Sequence, residues 1–127
     1  MAALPLNVFK TKTSILGSNT TTFVYTAPVG VTSIILMANV ANVTQNVQYV
    51  TMSHYRNLPV LPDSQGNGGQ PGNVATEIVK SFGIPGDNSA NMLQGKLIIE
   101  SLDSIIAYAN NTSTCKLVLS VLETANA

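Results

Sequence analysis

Charge is scarce in this sequence. Six Lys and Arg and six Asp and Glu make up 9% of its 127 residues, where about a quarter is usual for a soluble domain. The formal net charge is zero, a balance that favours association over dispersal. Lys10, Lys12, Arg56, Lys80, Lys96 and Lys116 stand scattered along the chain. With no basic cluster to displace counterions, the sequence predicts no nucleic-acid partner. Long apolar runs are missing too. The longest, at 34–38, is Ile-Ile-Leu-Met-Ala, far below the roughly 20 residues of a spanning helix. The first residues have no basic stretch and carry Pro5, so neither a signal peptide nor a membrane anchor is expected.

Reactive side chains are equally sparse. A lone cysteine, Cys115, leaves no intrachain disulfide and suits a reducing compartment. A lone histidine, His54, cannot build a His/Cys metal site. Asp63, Asp87 and Asp103 lack the spacing of a calcium loop. Cys115 and His54 are the only nucleophile–base pair of that kind, both fall in strand-like segments, and no third group orients them. The glycines at 66–72 lack the Lys and Ser/Thr of a phosphate loop. No enzyme, metal or cofactor is expected. Asn-x-Ser/Thr matches at Asn19, Asn42, Asn110 and Asn111 read as chance in a chain so rich in Asn and Thr.

What is present is β chemistry. Val, Ile, Thr and Tyr cluster at 8–16, 21–26, 33–44, 48–56, 75–82, 96–101, 104–110 and 115–123, parted by Gly, Pro and Asn turns. About seven or eight short strands at such spacing predict an all-β antiparallel sandwich, jelly-roll-like, filling 1–127 as one domain. It would carry a short N-terminal arm at 1–9 and a long loop at 57–73. Residues 90–95 have room for one helical turn.

The strands do not alternate cleanly between polar and apolar. At 33–44, strict period two puts Ile34, Leu36, Ala38 and Val40 on one face and Ile35, Met37, Ala41 and Val43 on the other. Leu117, Leu119 and Val121 stand opposite Val118 and Leu122, and Ile98 and Ile106 stand opposite Leu97, Ile99 and Ile105. Such strands need cover on both faces. A neighbouring subunit supplies it, or else a small barrel wall is covered by its own loops. The candidate contact residues are Leu4, Leu6, Val8 and Phe9 in the arm and Leu58, Val60 and Leu61 in the loop. Tyr25, Tyr49, Tyr55 and Tyr108 are candidates for a ligand platform or, more simply, for half-buried sheet surface.

The stretch Thr22-Phe23-Val24-Tyr25-Thr26-Ala27-Pro28-Val29-Gly30-Val31-Thr32-Ser33 leads into Ala38-Asn39-Val40-Ala41-Asn42. It resembles the early strand–turn–strand of small virion proteins of tailed bacteriophages. Ile84-Pro85-Gly86, then Gly95-Lys96-Leu97-Ile98-Ile99-Glu100, Asp103-Ser104-Ile105 and 117–123 are similar to the closing segments of that family. Leu102 stands where its pattern carries Gly, and 57–73 has no counterpart there. The resemblance implies a subunit made in the host cytoplasm and built into a virion as a homotrimer or ring, against itself and the major capsid protein. A capsid decoration (cement) role is the first expectation. The alternatives are a neck, tail or fibre-associated subunit, or a carbohydrate- or receptor-binding module at a fibre tip.

Overall fold

The structure, a computed structural model, describes residues 7–57 and 73–125. Its strands are β1 (Asn7–Ile15), β2 (Thr22–Thr26), β3 (Val31–Asn42), β4 (Gln48–Asn57), β5 (Asn73–Ile84), β6 (Ser89–Asn91), β7 (Leu97–Ile99), β8 (Ser104–Ala109) and β9 (Cys115–Ala125). No helix occurs among the described residues. The helical turn expected at 90–95 is instead the end of β6 and a turn that drops Met92 and Leu93 into the core.

The strands form two antiparallel sheets. One runs β1-β9-β3, with β6 and β7 side by side along the far edge of β3; the other runs β2-β8-β4-β5. The pairs β1/β9, β2/β8, β3/β6–β7 and β4/β5 nest like one long hairpin rolled on itself. That order is a jelly roll. The chain crosses between sheets at nearly every turn, so neighbours in sequence face each other across the core.

The core follows from period two with one interruption. Cys115, Leu117, Leu119 and Val121 of β9 point inward, facing Val50 and Met52 of β4 and Ile105, Ala107 and Ala109 of β8, all buried. In β3 the register slips between Ile35 and Met37. Ser33 and Ile35 are buried before the slip, Ala38, Val40 and Asn42 after it. Strict alternation, which grouped Ile34 and Leu36 with Ala38 and Val40, is therefore corrected. A β-bulge at Leu36 inserts one residue and exchanges the faces of the strand.

Turn chemistry closes the rims. Gly30 has a φ of 74° at the third position of the turn 28–31, where the Val31 amide donates to the Pro28 carbonyl at 3.2 Å. A type II turn needs that conformation, which glycine adopts without steric cost. A Cβ on Gly86 would overlap the Gln45 carbonyl, so the β3–β4 and β5–β6 turns approach as closely as they do because residue 86 is glycine.

Candidate interaction surface

The outward side of the first sheet is the least ordinary surface of the molecule. Directly opposed residues of an antiparallel pair share a face. The register aligns Phe9 of β1 with Leu122 of β9, Leu122 with Ile34 of β3, and Ile34 with Ile98 of β7. These four side chains form an apolar row across the whole sheet. Phe9 is 74% exposed and Ile98 59%, flanking the half-buried pair between them. The next row inward holds Thr11, Ser120 and Met37, and a third holds Thr13, Val118, Asn39 and Asn91. At the far end lie Ile15, Lys116, Ala41 and Ser89. Lys116 is the one charged residue in these rows. Two shallow hollows open here, one of about 540 Å³ beside Ile15, Lys116 and Val118 and one of about 290 Å³ between Phe9 and Leu36.

The edges of the sheets are guarded. Lys10 and Lys12 of edge strand β1 are opposed to Val121 and Leu119, which places both lysines on the inward side. Inward-pointing charge on an edge strand discourages pairing with another chain. Edge strand β2 has five residues and a register shift between Phe23 and Tyr25. On the other edge of that sheet, β5 slips twice against β4, and its Ser81 has a φ of 50°. The β6/β7 edge is broken into two pieces of three residues each. Short, bulged or charged edges leave the broad faces, and not the strand edges, as the surfaces open to a partner.

Two buried polar clusters brace the sandwich from within. In the first, the Tyr25 hydroxyl of β2 donates to Glu123 Oε2 of β9 at 2.5 Å and lies 2.6 Å from Ser33 Oγ of β3, while Lys10 Nζ reaches Glu123 Oε1 at 3.0 Å. Burial and the hydrogen bond to Glu123 push the Tyr25 hydroxyl well above the ordinary tyrosine range. Burial pushes the Glu123 carboxyl up, but hydrogen bonds from Tyr25 and Lys10 and the charges of Lys10 and Lys12 outweigh it, leaving the carboxyl below the usual range. In the second, Asp103, 1% exposed, accepts from the Asn57 amide at 3.0 Å. Its other oxygen lies 2.7 Å from Arg56 Nε, as an ion pair, and 3.4 Å from His54 Nε2, both without hydrogen-bond alignment. Arg56 Nη2 also meets Glu100 at 2.9 Å. This cluster ties the last residues of β4, where the hairpin to β5 opens, to the β7–β8 turn.

The residues singled out in the sequence fall in several places. Phe9 heads the apolar row, whereas Val8, opposite Glu123, takes the inward side. Leu4, Leu6, Leu58, Val60 and Leu61 lie outside the described residues. His54 sits in β4 of the second sheet beside Asp103, and Cys115 is buried in β9 of the first, its thiol pushed up by burial. Among the described residues no cluster of His, Cys, Asp and Glu has the makings of a metal site. Tyr25 is committed to Glu123 inside the sandwich. Tyr49, Tyr55 and Tyr108 share the outward face of the second sheet, where Tyr55 meets Phe23 edge-on at 5.5 Å.

Asn42 is a residue whose weight the sequence hid inside a glycosylation motif. Buried in the rim, its Nδ2 donates to the carbonyls of Asn46, Ile84 and Pro85, and its Oδ1 accepts from the Thr44 amide and hydroxyl. A group with its amide so fully engaged stitches turns together and offers no acceptor for a glycan.

Neither a protein family, a curated protein nor a solved structure matches the chain.

Proposed function

We propose that the chain is a virion structural subunit of a tailed bacteriophage, a capsid decoration (cement) protein that acts by packing against copies of itself and the major capsid protein. The observation that carries this reading is the apolar row Phe9–Leu122–Ile34–Ile98 lying open on a sandwich whose edges are guarded. Exposed apolar rows of this kind mark association surfaces, and burying them at about 25 cal/mol per Å² supplies the stabilisation. The virion assignment rests on the resemblance at 22–42 and 84–123. The reading is non-enzymatic: Cys115 is buried in the first sheet, and His54 stands in the second beside Asp103. Immunogold labelling of tailed-phage particles from the source of the sequence tests it. Gold over the heads is the expected result. Gold on necks, tails or fibres moves the subunit to those parts, and unlabelled particles overturn the virion reading.

A second reading is favoured by one observation, the grouping of Tyr49, Tyr55 and Tyr108 with Phe23 on the outward face of the second sheet. Aromatic faces beside hydroxyls suit a carbohydrate, as in a receptor-binding module at a fibre tip. Glycan-array binding lost in Tyr49→Ala and Tyr55→Ala supports it; binding unchanged by both removes it.

A further inference from the structure

We infer that the outward face of the β1-β9-β3-β7 sheet takes a second copy of this chain, face against face. The inference deepens the self-association in the structural-subunit reading and rests on it. It names the surface, the occupant and the manner of contact.

Three observations choose the occupant. The first is area. Strands β1, β9 and β3, of 9, 11 and 12 residues, with β6 and β7 of 3 residues each, make a face on the order of 600 Å² at about 4.8 Å between strands and about 3.4 Å per residue. Two copies then bury on the order of 1,200 Å², the lower limit of a standard specific interface. The second is charge. Along the opposed rows the only charged residue is Lys116, and it stands at the end of the sheet opposite the apolar row. The hollow beside Phe9 adds Lys10, whose charge is matched by Glu123, so the face has little to steer a charged partner. It presents no like-charge repulsion to its own copy, and the chain as a whole has formal net charge zero.

The third is shape and manner of contact. Exposed Phe9 and Ile98 stand at the two ends of a row whose middle, Leu122 and Ile34, is half-buried. The hollow between Phe9 and Leu36 opens next to it. A two-fold relation lays such a row on its own copy, because an isologous contact uses the same patch twice. Pairing through strand edges is opposed by the inward lysines of β1 and by the short, broken β6/β7 edge. A ring or trimer built from one repeated contact uses two different patches. A face-on-face contact instead makes pairs, which a symmetric particle multiplies by holding many copies close.

Light scattering after size exclusion, over a range of concentrations, tests this on the full chain. The expected mass rises with concentration to twice the 13.3 kDa chain. Phe9→Asp and Ile98→Asp each weaken pairing about tenfold or more. Phe23→Asp, a change at a similarly exposed aromatic on the other sheet, leaves pairing intact, and circular dichroism verifies that every variant is folded. A wild-type chain that stays monomeric at its highest soluble concentration overturns the inference. So does an oligomer that both face variants retain, or that Phe23→Asp dissolves. The two proposals fail separately: a monomer that still labels phage heads sinks only the pairing, and a face-dependent pair absent from particles sinks only the virion assignment.

Discussion

Leu102 shows how much a single backbone angle carries. It has a φ of 70°, in the left-handed region that side chains with a Cβ avoid. Its amide donates to the Ala27 carbonyl at 2.9 Å, and the Ala27 amide returns a bond to the Asp103 carbonyl, so the turn is held in that shape. Leu102→Gly is expected to stabilise the chain by about 1 kcal/mol, read as a higher midpoint in urea. The Tyr25–Glu123 bond belongs to the same scale. Because the Glu123 carboxyl is depressed in the fold, its stabilisation is present above the ordinary glutamate value of 4.5 and is lost as pH falls through the folded value. Tyr25→Phe removes a hydrogen bond to a charged acceptor and is expected to cost about 1.5–3 kcal/mol. It also moves the onset of acid unfolding to higher pH, which denaturation across a pH series will show. No periodicity or motif foretells that a tyrosine of β2 and a glutamate 98 positions later meet. That pairing exists only once the sheets face each other.

At the scale of elements, much was legible. Clusters of β-branched and aromatic residues and the turns between them locate the strands to within a few residues, because strand and turn preferences are local. The two-faced character of β9 was legible as well: Leu117, Leu119 and Val121 do face inward while Val118 and Leu122 face out. What could not be read was the bulge in β3, because its cause is register against β9 and not composition. The three-residue β6 was likewise invisible, having no periodic signal of its own, and its place in line with β7 along β3 depends on partners far apart in the chain. The contact residues expected in the arm and loop share only Phe9 with the row that the register assembles. Leu122, Ile34 and Ile98 are brought beside it by partners far apart in the chain. Two changes test the bracing of elements. Gly86→Ala forces the β5–β6 turn away from the Gln45 carbonyl of the β3–β4 turn and is expected to destabilise by more than about 2 kcal/mol. Asp103→Ala leaves the Asn57 amide without its acceptor and Arg56 without its nearer partner, costing about 2–3 kcal/mol. Both costs are measurable by thermal or urea unfolding.

For the whole molecule, the scarcity of charge and the apolar outer face have one physical origin. A jelly roll of this size buries the inner faces of its two sheets against each other, and that core is complete in Ile35, Leu119, Met52, Ile105 and their neighbours. Apolar residues placed on the outside of β1, β3, β7 and β9 gain nothing from that core. In the proposed pairing they gain from the same face of a second copy. The most direct measurement is hydroxyl-radical footprinting of Phe9, Ile98 and Phe23 in the assembled and the dilute chain, read by mass spectrometry. Protection of Phe9 and Ile98 on assembly, with Phe23 oxidised equally in both, is the result this account predicts. Equal oxidation of Phe9 and Ile98 in both states contradicts it.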